Sequence, residues 1–283
     1  METGKNTYLT PDFIEKEGDQ FTLSIRLLSD GFCVFVHLKH NQTLCFSDVV
    51  QADESDLDLV LSQYLNTQSF LQRRFENCQV FVNTASFWIP KHVENKDELN
   101  ALASLQIPFN AEQEQLLVNQ HPQWKAQHVF VMPKAVYTML NQHFSGKSID
   151  FLYSDYHLFQ MDYSALANKR KLILNQELDG FELWFLNSNT DLQFHKQFKI
   201  KSKDEFEFVF FHLLKTLQFN FSFDYLYCFP SVSDEFIDQI KAAFAHIERL
   251  SNNNDVEIEM LSKSINQLAQ SCSKPNFSSQ NLR

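Results

Sequence analysis

Ten histidines, five cysteines and 35 acidic residues supply most of the chemistry available to this 283-residue chain. His37 and His40 form an H-x-x-H pair, which chelates a metal only if both rings face one side. At the end of a strand, residues i and i+3 point to opposite faces, so the pair reads as core-edge or solvated histidine. Asp48, Asp53, Glu54, Asp56 and Asp58 would suit a hard cation, but they lack ordered D-x-D-x-D-G spacing. Negative charge at a helix start explains them. Cys33, Cys45, Cys78, Cys228 and Cys272 are odd in number with no C-x-x-C. That argues against a disulfide framework or a thiolate zinc knuckle and leaves buried free thiols. No G-x-S-x-G elbow occurs, and the basic run Lys169-Arg170-Lys171 reads as a solvated linker. No metal site is expected.

Composition excludes further classes. Lys plus Arg number 24 against 35 Asp plus Glu, a formal charge of −11, which disfavours capture of nucleic acid or anionic lipid by the surface as a whole. Only five glycines occur, too few for the phosphate-cradling loops of Rossmann and P-loop proteins. The first residues hold no apolar core behind a basic start, and no window approaches 18 uncharged apolar residues. The expectation is a cytoplasmic protein that contacts neither membrane nor nucleic acid.

The elements that must position any site follow from periodicity. Alternation marks strands at 21–28, 32–38 and 43–50, then apolar residues at helical spacing from Leu57 to Leu65. A strand at 78–84, helices at Asn95–Leu105 and Ala111–Asn119, a strand at 128–132 and a helix to about His143 complete the first half. The second half reads as strands at 171–178, 181–187 and 192–200, a helix from Asp204 to about Gln218 and a strand at 224–230. A helix from Ser233 to Leu250, a strand at 256–260 and a last helix to about Gln270 follow. The EFEFVFF start of the Asp204 helix also alternates like a strand, but its length favours a helix. Both halves give β-β-β-α-β-α-β-α. Asp30-Gly31-Phe32 matches Asp179-Gly180-Phe181 at an offset of 149 residues. Leu57, Leu59, Val60 and Leu61 match Phe206, Phe208, Val209 and Phe210 at the same offset.

A duplicated unit of this order resembles the actin-like, ribonuclease-H-type superfamily over nearly the whole chain. Its length and aromatic-rich, glycine-poor character also resemble a functionally uncharacterised bacterial domain-of-unknown-function family with an actin-like fold. The residues that carry this are 23–38, 172–186 and the P-S-V-S-D-E-F run at 230–236. The resemblance implies two lobes, residues 1–148 and 149–272, and the polar composition of 273–283, with Pro275, reads as a disordered tail. It also implies a nucleotide clasped by the first hairpin of each lobe, which points to Asp30 with Gly31 and Asp179 with Gly180. The chain departs from that pattern. In the first lobe Asp and Gly are adjacent rather than spaced Asp-x-Gly and Phe32 replaces the expected hydroxyl, and the second lobe has the same Asp-Gly-Phe at 179–181. Residues 257–262 lack the glycine pair of the adenosine side.

The reading is therefore an α/β protein of two ribonuclease-H-like units with degenerate phosphate loops, acting as a non-hydrolysing interaction or regulatory module. No cofactor is expected. The alternative is an ATPase or sugar-kinase-like enzyme that uses ATP and Mg in a non-standard cleft. A nuclease would need converging carboxylates beside a basic groove, against the acidic charge. The 29 phenylalanines should mostly fill cores, leaving an exposed aromatic patch for a protein partner.

Overall fold

The computed structural model describes residues 8–250 apart from 10–19, 29, 40–43, 69–70, 72–74, 76, 91–92, 94, 155–167, 178–179, 201 and 230. The expected strand at 256–260, the final helix and the tail lie outside the described residues, as do His40, Asp179 and Cys272.

Strands β2 (Phe21–Leu28), β3 (Gly31–Leu38) and β4 (Leu44–Gln51) form the antiparallel meander that their alternation predicts. Leu28 pairs with Gly31, so the first turn has only two residues between its strands. Helix α1 (Leu57–Thr67) follows, and β5 (Asn77–Val82) returns parallel to β2. With β1 (Tyr8–Leu9) and β9 (Ser148–Tyr153) the sheet order is β1-β4-β3-β2-β5-β9.

The second half repeats this plan. Strands β10 (Lys171–Glu177), β11 (Gly180–Leu186) and β12 (Leu192–Lys199) are an antiparallel meander, followed by helix α4 (Lys203–Thr216). Ser202 caps α4 by accepting from the Glu205 amide at 3.2 Å. β13 (Tyr225–Cys228) lies parallel to β10 and is followed by helix α5 (Asp234–Ile240). β14 (Ile247–Arg249) runs parallel to β13, giving the order β12-β11-β10-β13-β14. Without β1 the two sheets have the same order. The helices agree residue by residue as well. Leu61 and Phe210 are wholly buried, whereas Leu59 and Phe208 are 60% and 71% exposed. Duplication thus preserves which face of the helix meets the sheet.

Several expectations are corrected. Residues 114–121 are not helical but form β7 (Glu114–His121), the centre of whose pairing is β8 (Ala126–Pro133). Their Glu, Gln and Leu content favours a helix locally, and cross-strand pairing overrides it. β8 is not the fifth strand of the first sheet. With β6 (Ser86–Pro90) it makes a separate sheet of order β6-β8-β7, covered by α2 (Lys96–Gln106). Residues 86–133 are thus an insertion, after which α3 (Lys134–His143) and β9 complete the element order of the first half. The helix expected to reach Leu250 stops at Ile240, and β14 takes the fifth place.

Contacts group the described residues into two compact units. One holds the chain up to Phe81 with Leu140–Asp150, the other Val82–Met139 with Phe151 onward. The inserted sheet is grouped with the second half. Among the described residues no helix is long and apolar enough to cross a membrane.

Candidate functional site

Asp30 is exposed in the β2–β3 turn, its carbonyl accepting from the Ala52 amide at 3.0 Å. Gly31 and Gly180 both begin a strand, opposite Gln51 and Lys199. A Cβ on Gly31 would lie 2.0 Å from the Val50 carbonyl oxygen, and one on Gly180 1.8 Å from that of Phe198. Close approach of neighbouring strands accounts for both glycines. The residues after them, Phe32 and Phe181, are wholly buried. Phe32 meets Tyr64 edge-on at 5.4 Å between ring centroids, and Phe181 meets Phe206 at 4.5 Å. Each ring contributes about 1.5–3 kcal/mol through its burial. Asp30 and Gly31 belong to the first unit and Gly180 to the second.

A different constellation converges inside the second unit. β6 and β12 are the outer strands of their sheets. Along them runs a cleft of about 460 Å³ lined by residues 86–89 and 192–197, with Gln106, Lys125, Ala126 and Glu182. Register creates its core. Trp88 pairs with His128 across β6–β8, and Trp184 with His195 across β11–β12. Trp88 stacks on His128 at 4.3 Å and 10°, and Trp184 on His195 at 5.3 Å and 29°. Trp124, 5.3 Å from Trp88, brings all three tryptophans of the chain into one cluster.

His195 Nε2 lies 2.7 Å from Glu182 Oε1. Tyr153 meets His128 edge-on at 4.2 Å. Burial holds His121 down to about 4, and holds His128 well below the ordinary histidine value, with His195 and His121 adding repulsion. At the rim the Lys125 ammonium is 2.8 Å from Asp191, which that hydrogen bond holds below the usual carboxylate range.

Several titratable groups elsewhere are held within the fold. Asp48, read as part of a helix-start cluster, is instead buried in β4, where Oδ2 accepts from the Tyr64 hydroxyl at 2.9 Å. Burial pushes its carboxyl up against that hydrogen bond and the one from the Val49 amide. Cys33, Cys45, Cys78 and Cys228 are buried free thiols, and burial pushes Cys33, Cys78 and Cys228 up to about 12. The run 169–171 is no solvated linker. Lys171 is wholly buried and donates to the Lys169 carbonyl at 3.0 Å, while Arg170 binds both oxygens of Asp224 at 3.2 and 2.6 Å. Among the described residues no group of three His, Cys, Asp or Glu could hold a metal ion.

Comparison with known proteins bears on the fold. A family model described as "Protein of unknown function (DUF3822)" matches residues 11–250. The chain belongs to the DUF3822 family. No curated protein matches the sequence. Among solved structures, a Bacteroides thetaiotaomicron protein with an actin-like ATPase fold and unknown function is 20% identical, with a TM-score of 0.67 over 88% of this chain and 97% of that one. A PilM–PilN type IV pilus biogenesis complex is 11% identical, with a TM-score of 0.46 over 81% and 88%. The Aquifex aeolicus PPX-GPPA enzyme is 9% identical, with a TM-score of 0.33 over 74% and 67%. The first of these, with the repeated sheet order, shows that this DUF3822 protein has the actin-like fold its sequence resembles.

Sequence reasoning missed the Trp88, His128, Glu182 and His195 cluster. Its members are single residues on different strands, and the register that joins them exists only once the sheets form. The one available signal was that the chain has just three tryptophans, at 88, 124 and 184.

Proposed function

We propose that this DUF3822 protein is a non-hydrolysing interaction module on an actin-like fold. The burial of Phe32 and Phe181 at the two hairpin starts carries the reading. Catalysis of phosphoryl transfer rests on positioned donors around the phosphates. Here aromatic rings stand at the hydroxyl positions, and steric need explains both glycines. Phe208 and Phe223, 71% and 60% exposed in the second unit, offer large aromatic rings for a protein partner to cover.

The test is phosphate release by the full chain from Mg-ATP and Mg-GTP. The reading expects no release above buffer. Saturable turnover lost in both Asp30→Ala and Asp179→Ala would replace it with an enzyme.

A further inference from the structure

Two outer strands share one cleft. Its lining takes in every residue of 192–197 along β12 and every residue of 86–89 along β6. Successive side chains of a strand point to opposite faces, so a wall made of an unbroken run is the edge of the strand rather than one of its faces. Among the described residues β12 is paired only with β11, and β6 only with β8. The cleft lies wholly in the second unit and opens onto the main-chain edges of both strands. We infer that it binds an extended acidic peptide of a partner protein, which adds as a further strand to the outer edge of β12. This inference does not depend on whether the hairpins bind nucleotide.

The edge is long and regular enough for strand addition. The ladder of β12 with β11 shifts register between Phe185 and Leu186 and then runs unbroken over residues 194–199. At about 3.3 Å per residue this is roughly 20 Å of straight edge, the length of an ordinary strand. The Trp88 ring, 6.0 Å from that of His195, ties β6 to β12 beside it. A peptide laid along β12 therefore has β6 as its second wall. Only a lone extended segment has both of its own edges available there, since a strand of another folded sheet brings its neighbours with it.

Alternation sets what the peptide must carry. Phe194 and Phe198 pack with the core beneath α4, and Lys196 between them shares their face. His195, on the opposite face, meets Glu182. Lys196 is exposed, its ammonium 5.4 Å from the centroid of the Phe198 ring. Side chains directly opposite one another across a strand pair interact, so one face of the peptide needs an acid opposite Lys196 and an apolar residue opposite Phe194. Polar residues suit its other face. β12 carries Lys196 and Lys199 with no acid, and β6 carries no charge. Lysine on an outer strand discourages pairing with a second copy of the same edge, and it favours an acidic segment.

The probe is acetyl-Thr-Val-Thr-Glu-Thr-Val-Thr-amide, whose Val-x-Glu-x-Val face matches Phe194, Lys196 and Phe198. It is titrated into the ¹⁵N-labelled full chain while the backbone amides are followed. Amides of residues 194–197 should shift saturably, and those on the outer side of β12 should exchange with solvent more slowly. The same peptide with its central amides N-methylated keeps the side chains, loses strand pairing and should not bind. Lysine in place of the glutamate should weaken binding about tenfold, and Lys196→Glu, an exposed change, should reverse that preference. Equal binding of the N-methylated peptide, no saturable shift in β12 with the glutamate peptide, or a charge preference that Lys196→Glu leaves unreversed would overturn the inference. So would the same shifts on raising the protein concentration alone, which would give this edge to a second copy.

Discussion

Gly31 and Gly180 occupy the same place in two copies of one hairpin, each beneath a carbonyl of the third strand, Val50 in one copy and Phe198 in the other. A methyl group at either position would collide with backbone, which cannot swing away as a side chain tip does. Gly31→Ala and Gly180→Ala should each lower unfolding free energy by roughly 3 kcal/mol, at the top of the usual range for overpacking. Gly31 carries the additional strain of φ +147°. Gly146 has φ +79° but open space around it, so Gly146→Ala should cost only about 1–2 kcal/mol. Urea denaturation of the three variants measures the contrast. Equal losses at all three would remove the close-approach explanation.

The matched faces of α1 and α4 predict a paired result. Leu61→Ala and Phe210→Ala open cavities in wholly buried positions and should cost about 2–5 kcal/mol each. Leu59→Ser and Phe208→Ser should stay within about 0.5 kcal/mol of the parent. A large loss at Phe208 would show that the two helices do not share one buried face.

Acid should weaken the second unit through its neutral histidines. His121 and His128 have folded values depressed below the ordinary 6.5, so the unfolded chain binds more protons in the intervening pH range. Stability is then full above about pH 6.5 and falls as pH drops toward 4, by about 1.4 kcal/mol per unit for each histidine. Urea midpoints between pH 7.5 and 5 measure the slope. His121→Gln should flatten it, and an unchanged slope would place the acid sensitivity elsewhere.

Tyr64→Phe removes the hydroxyl that donates to buried Asp48 and should cost about 1–3 kcal/mol at neutral pH. The Asp48 carboxyl is raised in the fold, so its ionisation opposes folding, and the loss should shrink as pH falls through its folded value. Asp48→Asn with Tyr64→Phe should recover part of the loss. A pH-independent effect would mean that Tyr64 contributes through packing alone.

What the sequence disclosed is what local chemistry encodes. The Asp-Gly turns and the apolar stripes of 57–67 and 206–216 each specify their own conformation, and their common offset exposed the duplication. The inserted sheet was hidden because Glu114–His121 has helix-forming residues whose strand state depends on β8. β9 was missed although Ile149 and Phe151 alternate with polar neighbours after Gly146. The cleft was illegible for a stronger reason. Glu182 and His195 are 13 residues apart and meet diagonally across β11 and β12, a relation fixed by hairpin register.

The proposed function requires that neither hairpin grip phosphate. Isothermal titration of the full chain with Mg-ATP, run beside Asp30→Ala and Asp179→Ala, tests it most directly. No saturable heat is expected for the parent or either variant. A saturable isotherm for the parent that disappears in both variants would contradict it.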